Sequence, residues 1–154
     1  MPSQQAHGIT GDLVTWIKDW LSGRKQRVVI NGKPSEWTSV SSGVPQGSVL
    51  GPILFIIYIN DIEENINCKI PKFADNTKIA NKADSATQRL LLQNDLDTLV
   101  EWSKTWLMNF NFEKCHVLHI GNRNPRADYR MGNASIKSVQ REKDLGVVIK
   151  APKL

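Results

Sequence analysis

The stretch GVPQGSVLGPILFIIYINDI, residues 43–62, places a loop of glycine and proline directly before a long apolar segment. Gly43 and Gly47 permit backbone conformations that other residues avoid, and Pro45 stiffens the loop between them. Ser48 suits the N-cap position of a helix. The stretch therefore predicts a ligand-approaching loop followed by a buried helix from Ser48, which is too short for the ~20 residues that cross a bilayer.

A second informative stretch, FADN at residues 73–76, lies between two short β-prone runs. Residues 69–73 and 77–80 are predicted to form antiparallel strands around a tight turn at Asp75 and Asn76. A hairpin tip of this kind holds side chains rigidly at the edge of a cleft, as catalysis requires. An Asp-Asn pair is also an ordinary turn former, so the tip alone does not establish a site.

Together the two stretches resemble motifs B and C of the reverse transcriptase palm, in the form found in non-LTR (LINE-type) retrotransposons. Motif C of that family usually reads FADD, whereas Asn76 stands in the last position here. The resemblance covers nearly the whole chain, including WIKDWLSGRKQRVVINGKPSEW (residues 16–37), LVEWSKTWLMNFNFEKCHVLHIG (99–121) and REKDLGVVI (141–149). It implies an RNA-directed DNA polymerase, a nucleotidyltransferase that uses Mg²⁺, an RNA template and a DNA primer.

The resemblance also implies which residues form the site. The catalytic positions would be Asp75, Asn76 and Lys114, with Asp75 as the metal ligand. Lys114 falls where the family carries a motif D lysine that meets the departing pyrophosphate, although a lysine beside a strand start is more often surface charge. The implied nucleotide and template contacts are Gly43, Pro45, Gln46, Gly47, Phe73 and Ala74.

The sequence has too few acidic residues at the expected metal site, so we expect it to lack catalytic activity by itself. Mg²⁺ is a hard cation whose binding depends on charged oxygen ligands, so Asn76 should hold it less well than an Asp would. The family places another metal-binding Asp in motif A, and the sequence begins too late to include it. The acids ahead of motif B are Asp12, Asp19 and Glu36, and none has a strand-end setting that could replace it. With Asp75 alone, two ions are not expected to bind, and the chain is expected to be inactive by itself.

Two alternatives remain open at the level of the sequence. The chain could be a non-catalytic basic module that binds RNA or an RNA:DNA hybrid, because its formal net charge is +5 and its pI is near 9.3. It could also be a retroelement remnant without a selected function. The basic clusters that would follow a phosphate backbone are Arg24, Lys25 and Arg27, and Arg123, Arg126 and Arg130 with aromatic help from Tyr129.

The remaining pattern predicts an α+β fold of antiparallel β-hairpins with helices packed on one face. The resemblance implies that this fold is a reverse-transcriptase-like palm fragment. We expect one partial reverse transcriptase domain over residues 1–154, from motif B onward to the start of the connection to the thumb, with fingers and thumb segments missing. Helices are predicted at residues 13–21 and from a Ser85–Gln88 capping box to about Asn109, the latter along an apolar stripe. The predicted strands are 27–30 and 36–40 about Asn31-Gly32, 115–120, a hairpin about Gly132-Asn133, and 145–149.

The two cysteines, Cys68 and Cys115, are too few for a disulfide framework, and no secretory leader opens the sequence. These features predict an intracellular protein, nuclear or cytoplasmic, without a membrane partner. Cys115, His116 and His119 suggest zinc at first sight. Alternation along a strand places His116 on the opposite face from the other two, so a zinc site is not expected.

Overall fold

The computed structural model describes residues 8–73 and 76–152 of the chain. The chain forms two compact units, residues 1–61 and 62–154. Within the described residues, none of the helices combines the length and the apolar character that a membrane span requires.

Among its described residues the first unit contains two helices and, between them, a ribbon made of two antiparallel strand pairs. Its elements are α1 (Asp12–Leu21), β1 (Lys25–Gln26), β2 (Val29–Ile30), β3 (Lys33–Pro34), β4 (Thr38–Ser39) and α2 (Leu50–Asn60), with a 3₁₀ helix at Asp61–Glu63 following in sequence. Helix α1 confirms the helix predicted from apolar spacing, and Ile17 is its buried residue. It ends at Leu21, where Ser22 becomes extended and its hydroxyl donates a hydrogen bond to the Lys18 carbonyl at 2.6 Å.

The ribbon between the helices turns at Asn31-Gly32, as predicted. Both turn residues have positive φ, 50° and 76°, which is the conformation of the tight turn that matches strand twist. The strands differ from the prediction, because β2 pairs with β3 next to the turn while β1 pairs with β4 farther away. Residues 25–39 are all exposed, so this ribbon contributes no buried core to its unit.

Helix α2 begins at Leu50, two residues later than predicted. Ser48 nevertheless caps it, since the Ser48 hydroxyl accepts a hydrogen bond from the Gly51 N–H at 3.0 Å. The same hydroxyl donates to the Pro45 carbonyl at 2.7 Å, which links the cap to the preceding loop. Leu54 is buried on this helix. The N-terminal end of α2 is therefore tied to the loop that precedes it.

The second unit contains one long helix and most of the strands. Its described elements are β5 (Lys72–Phe73), β6 (Asn76–Thr77), α3 (Ala86–Thr105), a 3₁₀ helix at Phe112–Lys114, β7 (His116–Leu118), β8 (Arg130–Met131), β9 (Ala134–Ser135), β10 (Lys137–Val139), β11 (Arg141–Asp144) and β12 (Val147–Lys150). Helix α3 confirms the predicted long helix, although it ends at Thr105 and not near Asn109. Half of the predicted capping box forms, since the Ser85 hydroxyl accepts from the Gln88 N–H at 3.2 Å.

The strand pairs of the second unit are mainly short antiparallel hairpins. These are β5–β6, β8–β9 and β11–β12, and the hairpin predicted about Gly132-Asn133 is confirmed as β8–β9. Besides the predicted antiparallel hairpins, β7 and β10 form a parallel pair, which the sequence pattern did not predict. Parallel strands need a long crossover connection, which here runs through residues 119–136 and contains the β8–β9 hairpin. Among the described residues the strands form separate pairs, so the single palm sheet is not confirmed.

The core of the second unit forms between α3 and the β8–β9 hairpin. The buried apolar residues are Ile62, Leu96, Leu99, Val100, Tyr129, Met131 and Ile136. The Gln93 side chain adds a polar link, because its amide donates to the Arg130 carbonyl at 2.9 Å and accepts from the Arg130 N–H at 3.1 Å. This double hydrogen bond fixes the hairpin along the helix.

Candidate active site

The loop at residues 43–47, here called the motif B loop, has the backbone that its glycines predicted. Gly43 and Gly47 have φ of 76° and 81°, a region that is costly for residues with a Cβ atom. The loop and the first turns of α2 line an open depression of about 400 Å³, formed by Val44, Pro45, Gln46, Gly47, Gly51, Pro52 and Phe55. The Gln46 side chain is exposed. The loop therefore offers a backbone that a flat ligand can approach.

Arg24 reaches the start of this loop. Its Nη2 atom donates to the Gly43 carbonyl at 2.5 Å and lies 3.5 Å from the Ser42 carbonyl, while its Nε atom donates to the Leu21 carbonyl at 2.8 Å. The Arg24 guanidinium therefore contacts backbone carbonyls within the first unit, and its predicted contact with a phosphate backbone stays a prediction.

The other members of the first basic cluster are exposed. Lys25 lies on strand β1, and the Arg27 guanidinium stacks 4.7 Å from the centre of the Trp37 ring. Trp37 is itself 58% exposed. A cation beside an accessible aromatic face is a common arrangement for contacts with single-stranded nucleic acid.

The motif C residues Phe73 and Asn76 face each other as partners in the β5–β6 hairpin. The predicted turn at Asp75-Asn76 is wrong for Asn76, which is a strand residue because β6 begins there. Ala74 and Asp75 lie outside the described residues. Beyond the hairpin, Lys69 and Ala80 continue the pairing with hydrogen bonds of 3.1 and 2.9 Å. The structure thus brings Phe73 and Asn76 together at the end of a short ladder.

Ion pairs support the same hairpin from within its unit. Lys72 on β5 lies 2.7 Å from the Glu63 carboxylate, and Lys78 pairs with Asp144 on β11. Each pair has one partly buried and one exposed partner, and ion pairs that solvent reaches contribute little to stability, typically below about 1 kcal/mol. They nevertheless restrict the directions that the hairpin can take.

A buried carboxylate holds the chain just ahead of this hairpin. Asp95 on α3 is 1% exposed and accepts hydrogen bonds from Asn67 and Cys68. Sequence reasoning missed this residue, because it follows Asn94 in a polar part of the helix pattern. Its spacing, three residues after Leu92 and four before Leu99 on the apolar stripe, was the available signal.

Lys114 is the last residue of the 3₁₀ helix before β7, and it is exposed. Its proposed contact with pyrophosphate stays a prediction. The motif B residues belong to the first unit, whereas Phe73, Asn76 and Lys114 belong to the second.

The second basic cluster is less accessible than predicted. Arg126 is half-buried and donates to the Pro152 carbonyl at 3.3 Å. Tyr129 is 6% exposed, so the prediction that it offers an aromatic face to nucleic acid is wrong. Burial raises the pKa of the Tyr129 hydroxyl, as expected for a ring within a core. Arg123 and Arg130 remain exposed.

In residues 8–73 and 76–152, no group of three His, Cys, Asp or Glu side chains could hold a metal ion. His119 is buried with Nε2 3.1 Å from the Ser138 hydroxyl, and His116 Nδ1 lies 3.5 Å from Glu142. At motif C the sequence supplies Asp75 and the neutral amide of Asn76, a donor set that does not fit a pair of Mg²⁺ ions, which needs several carboxylates.

Comparison with known proteins identifies the class to which this fold and loop belong. The family described as reverse transcriptase (RNA-dependent DNA polymerase) matches residues 3–149, so the chain belongs to the reverse transcriptase family. No solved structure matches the chain significantly.

The relatives that match come from mobile elements. The chain is 32% identical over 118 residues to the RNA-directed DNA polymerase from mobile element jockey of Drosophila melanogaster, which covers 70% of the chain and 13% of that protein. It is 29% identical over 107 residues to the probable polymerase from transposon X-element of the same species, covering 64% of the chain and 12% of that protein. The resemblance to non-LTR retrotransposon polymerases is confirmed, and the chain spans about one eighth of these relatives.

Proposed function

We propose that the chain forms the motif B to motif D portion of the palm of a non-LTR RNA-directed DNA polymerase, and that it lacks catalytic activity by itself. The observation that carries the proposal is the motif B loop, with Gly43 and Gly47 both at positive φ ahead of α2. At these two residues no Cβ atom stands between the backbone and an approaching base pair. Membership of the reverse transcriptase family supports the same role.

In this proposal Gln46 and Gly47 touch the nascent base pair, and Phe73 and Ala74 lie beside the nucleotide. Lys114 meets the departing pyrophosphate. The nucleic acid would be an RNA template with a DNA primer, and the fingers and thumb would come from other segments. Template RNA is an intracellular substrate, so the proposal places the protein in the nucleus or cytoplasm.

The proposed loss of catalysis rests on Asn76. In the family a divalent metal supplies charge stabilisation for the attacking and leaving oxygens. Asp75 provides one carboxylate, and the Asn76 amide brings an oxygen without the negative charge that attracts the ion. An amide preserves the shape of the position, so folding of β6 does not depend on the change.

The metal part of the proposal is tested with Mn²⁺ as a paramagnetic probe, measuring the free ion by EPR. We expect weak binding to the unaltered chain and roughly tenfold tighter binding to Asn76→Asp, since a second carboxylate adds charge at the same hairpin. Asp75→Ala should bind less than the unaltered chain. The matched control is Asn133→Asp, the same change at the turn of another hairpin, which should leave the affinity unaltered. Equal affinity in all four proteins would overturn the assignment of Asp75.

Activity is tested with an RNA template, a DNA primer, nucleotides and Mg²⁺ or Mn²⁺. We expect no primer extension by the chain. Extension that disappears in Asp75→Ala would show that the chain is catalytic and that Asn76 is compatible with polymerisation.

A further inference from the structure

We propose that Arg24 is a positioning residue for the motif B loop, which it ties to the C-terminal end of helix α1. Its consequence for nucleic-acid binding rests on the function proposed above, whereas its effect on the loop stands by itself. The assignment comes from three carbonyl oxygens that converge on one guanidinium.

The three carbonyls belong to two separate segments. The Leu21 carbonyl is at the last residue of α1, where helix carbonyls lack an intrahelical partner and carry partial negative charge. The Ser42 and Gly43 carbonyls open the motif B loop, eighteen and nineteen positions after Arg24. The Arg24 backbone also takes part, because its carbonyl accepts from the Val40 N–H at 2.9 Å. Side chain and backbone therefore bring the same two segments together.

Only arginine has the geometry for this role. Its guanidinium presents donors in a rigid planar fork, so Nε can serve Leu21 while Nη2 serves Gly43. A lysine carries the same charge on one nitrogen and cannot bridge both carbonyls with the same directions. Arg24 bonds to the carbonyl of Gly43, which has a positive φ. Gly43 is the residue at which the chain turns into the loop.

The opposite end of the loop is held by Ser48. Its hydroxyl joins the Pro45 carbonyl to the Gly51 N–H, as described above. Arg24 and Ser48 thus hold the loop from its two ends, and Gln46 remains exposed between them. Holding a short segment at both ends reduces the conformations that it must give up when a ligand binds. Arg24 would therefore act through Gln46 without touching the ligand.

A direct phosphate contact by Arg24 is the competing explanation. The guanidinium of Arg24 is engaged by three carbonyls, whereas Lys25 and Arg27 are exposed nearby. A phosphate contact depends mainly on charge and would survive replacement by lysine. A positioning role would not survive it. Arg24→Lys therefore separates the two explanations, and Arg27→Lys is the matched control because it makes the same change at an exposed site.

The first measurement is amide hydrogen exchange by NMR on the full chain, together with thermal unfolding. In Arg24→Lys we expect the hydrogen-bonded amides of Ser48 and Gly51, which close the far end of the loop, to exchange about tenfold faster, because the loop loses its hydrogen bonds to a charged group. The amides of α3 and the Tm should stay unchanged, and Arg27→Lys should affect neither. Unchanged loop exchange would overturn the proposal. A general rise in exchange with a large fall in Tm would indicate an overall structural role and would overturn it as well.

The second measurement is the affinity for a fluorescent RNA:DNA primer–template by anisotropy, with Arg24→Lys, Gln46→Ala and the double variant. If Arg24 acts through Gln46, each single change weakens binding and the double change adds little more. Additive losses would overturn the proposal, as would full affinity in Arg24→Lys. Absence of binding by the unaltered chain would count against the proposed function, and the exchange measurement would still decide the role of Arg24.

Discussion

Asp95 and Cys68 are joined by a hydrogen bond of 2.7 Å, which the backbone N–H of Cys68 donates to the Asp95 carboxylate. The Asn67 N–H donates to the same oxygen at 3.0 Å, and the Asn67 side-chain amide donates to the other oxygen at 3.1 Å. One buried carboxylate of α3 therefore accepts hydrogen bonds from the donors of the segment that leads into the β5–β6 hairpin. The long helix fixes the starting point of motif C.

Removal of this carboxylate should destabilise the second unit. We expect Asp95→Ala to lower the free energy of unfolding by about 2–4 kcal/mol, because two backbone N–H groups lose their acceptor in a buried place. Asp95→Asn should cost less, since the amide oxygen can still accept. Asp97→Asn on the same helix is the control, and its exposed position predicts a change within about 0.5 kcal/mol. Urea unfolding followed by circular dichroism provides the measurement, and equal losses for Asp95→Asn and Asp97→Asn would contradict the role.

The same carboxylate should make stability depend on acid pH. Burial alone would raise the pKa of Asp95, but hydrogen bonds from Cys68 and Asn67 outweigh burial and lower it from the ordinary value of 3.8. A lowered folded-state pKa gives stability that is complete above the unfolded value and is lost as the pH falls through the folded value. The stability difference between the unaltered chain and Asp95→Asn should therefore be constant near neutral pH and shrink below pH 3.8. A difference that grows in acid would contradict this sign.

The thiol of Cys68 should be unreactive. Burial, a hydrogen bond to Asp95 and the charge of that carboxylate raise the pKa of Cys68 from 9.0 to about 12. Since the thiolate is the nucleophile, alkylation by iodoacetamide at mildly alkaline pH should be at least about tenfold slower than in the unfolded chain. The test uses Cys115→Ser so that one thiol remains. Asp95→Asn should speed the reaction by removing the nearby charge, whereas Asp97→Asn should not. Equal rates in both variants would show that Asp95 does not control the thiol.

The local features of this fold were predictable because short-range chemistry determines them. The turn at Asn31-Gly32 needs positive φ at two adjacent residues, and an Asn-Gly dipeptide favours this conformation. The Ser85 cap and the apolar repeat of α3 likewise depend on neighbours within one or two helical turns. The motif B loop was predictable for the same reason, since Gly43 and Gly47 are needed for its backbone.

The non-local features could not be predicted in the same way. Strand β11 reads Arg-Glu-Lys-Asp, so it has no apolar alternation, and only its pairing with β12 makes it a strand. The parallel pairing of β7 with β10 joins segments far apart in sequence. Arg24 and Asp95 are charged residues beside other polar residues, and the pattern predicts exposure for both. Their actual roles depend on carbonyls and amides brought to them by folding.

A substitution in α2 tests how closely the motif B loop packs on its helix. Helix propensity alone predicts that Gly51→Ala stabilises the protein by about 1 kcal/mol. In the structure a Cβ atom at this position would lie 2.7 Å from the Ser48 hydroxyl, 3.0 Å from the Pro45 carbonyl oxygen and 3.3 Å from a Val44 methyl. The Pro45 carbonyl is backbone and already bonded to Ser48, so it cannot move without shifting the loop.

We therefore expect Gly51→Ala to lower the free energy of unfolding by about 1–3 kcal/mol, the range found for overpacked sites. Ser48→Ala removes the hydroxyl oxygen that lies nearest to the new Cβ atom. Combining Ser48→Ala with Gly51→Ala should therefore relieve part of the strain. The contact with the Pro45 carbonyl oxygen remains, so the relief should be incomplete. The two changes should consequently be non-additive in urea unfolding, with the double variant more stable than the sum of the single losses predicts. If Gly51→Ala instead raises the midpoint, the loop does not pack against α2 at this residue, and Ser48 holds it less tightly than these distances require.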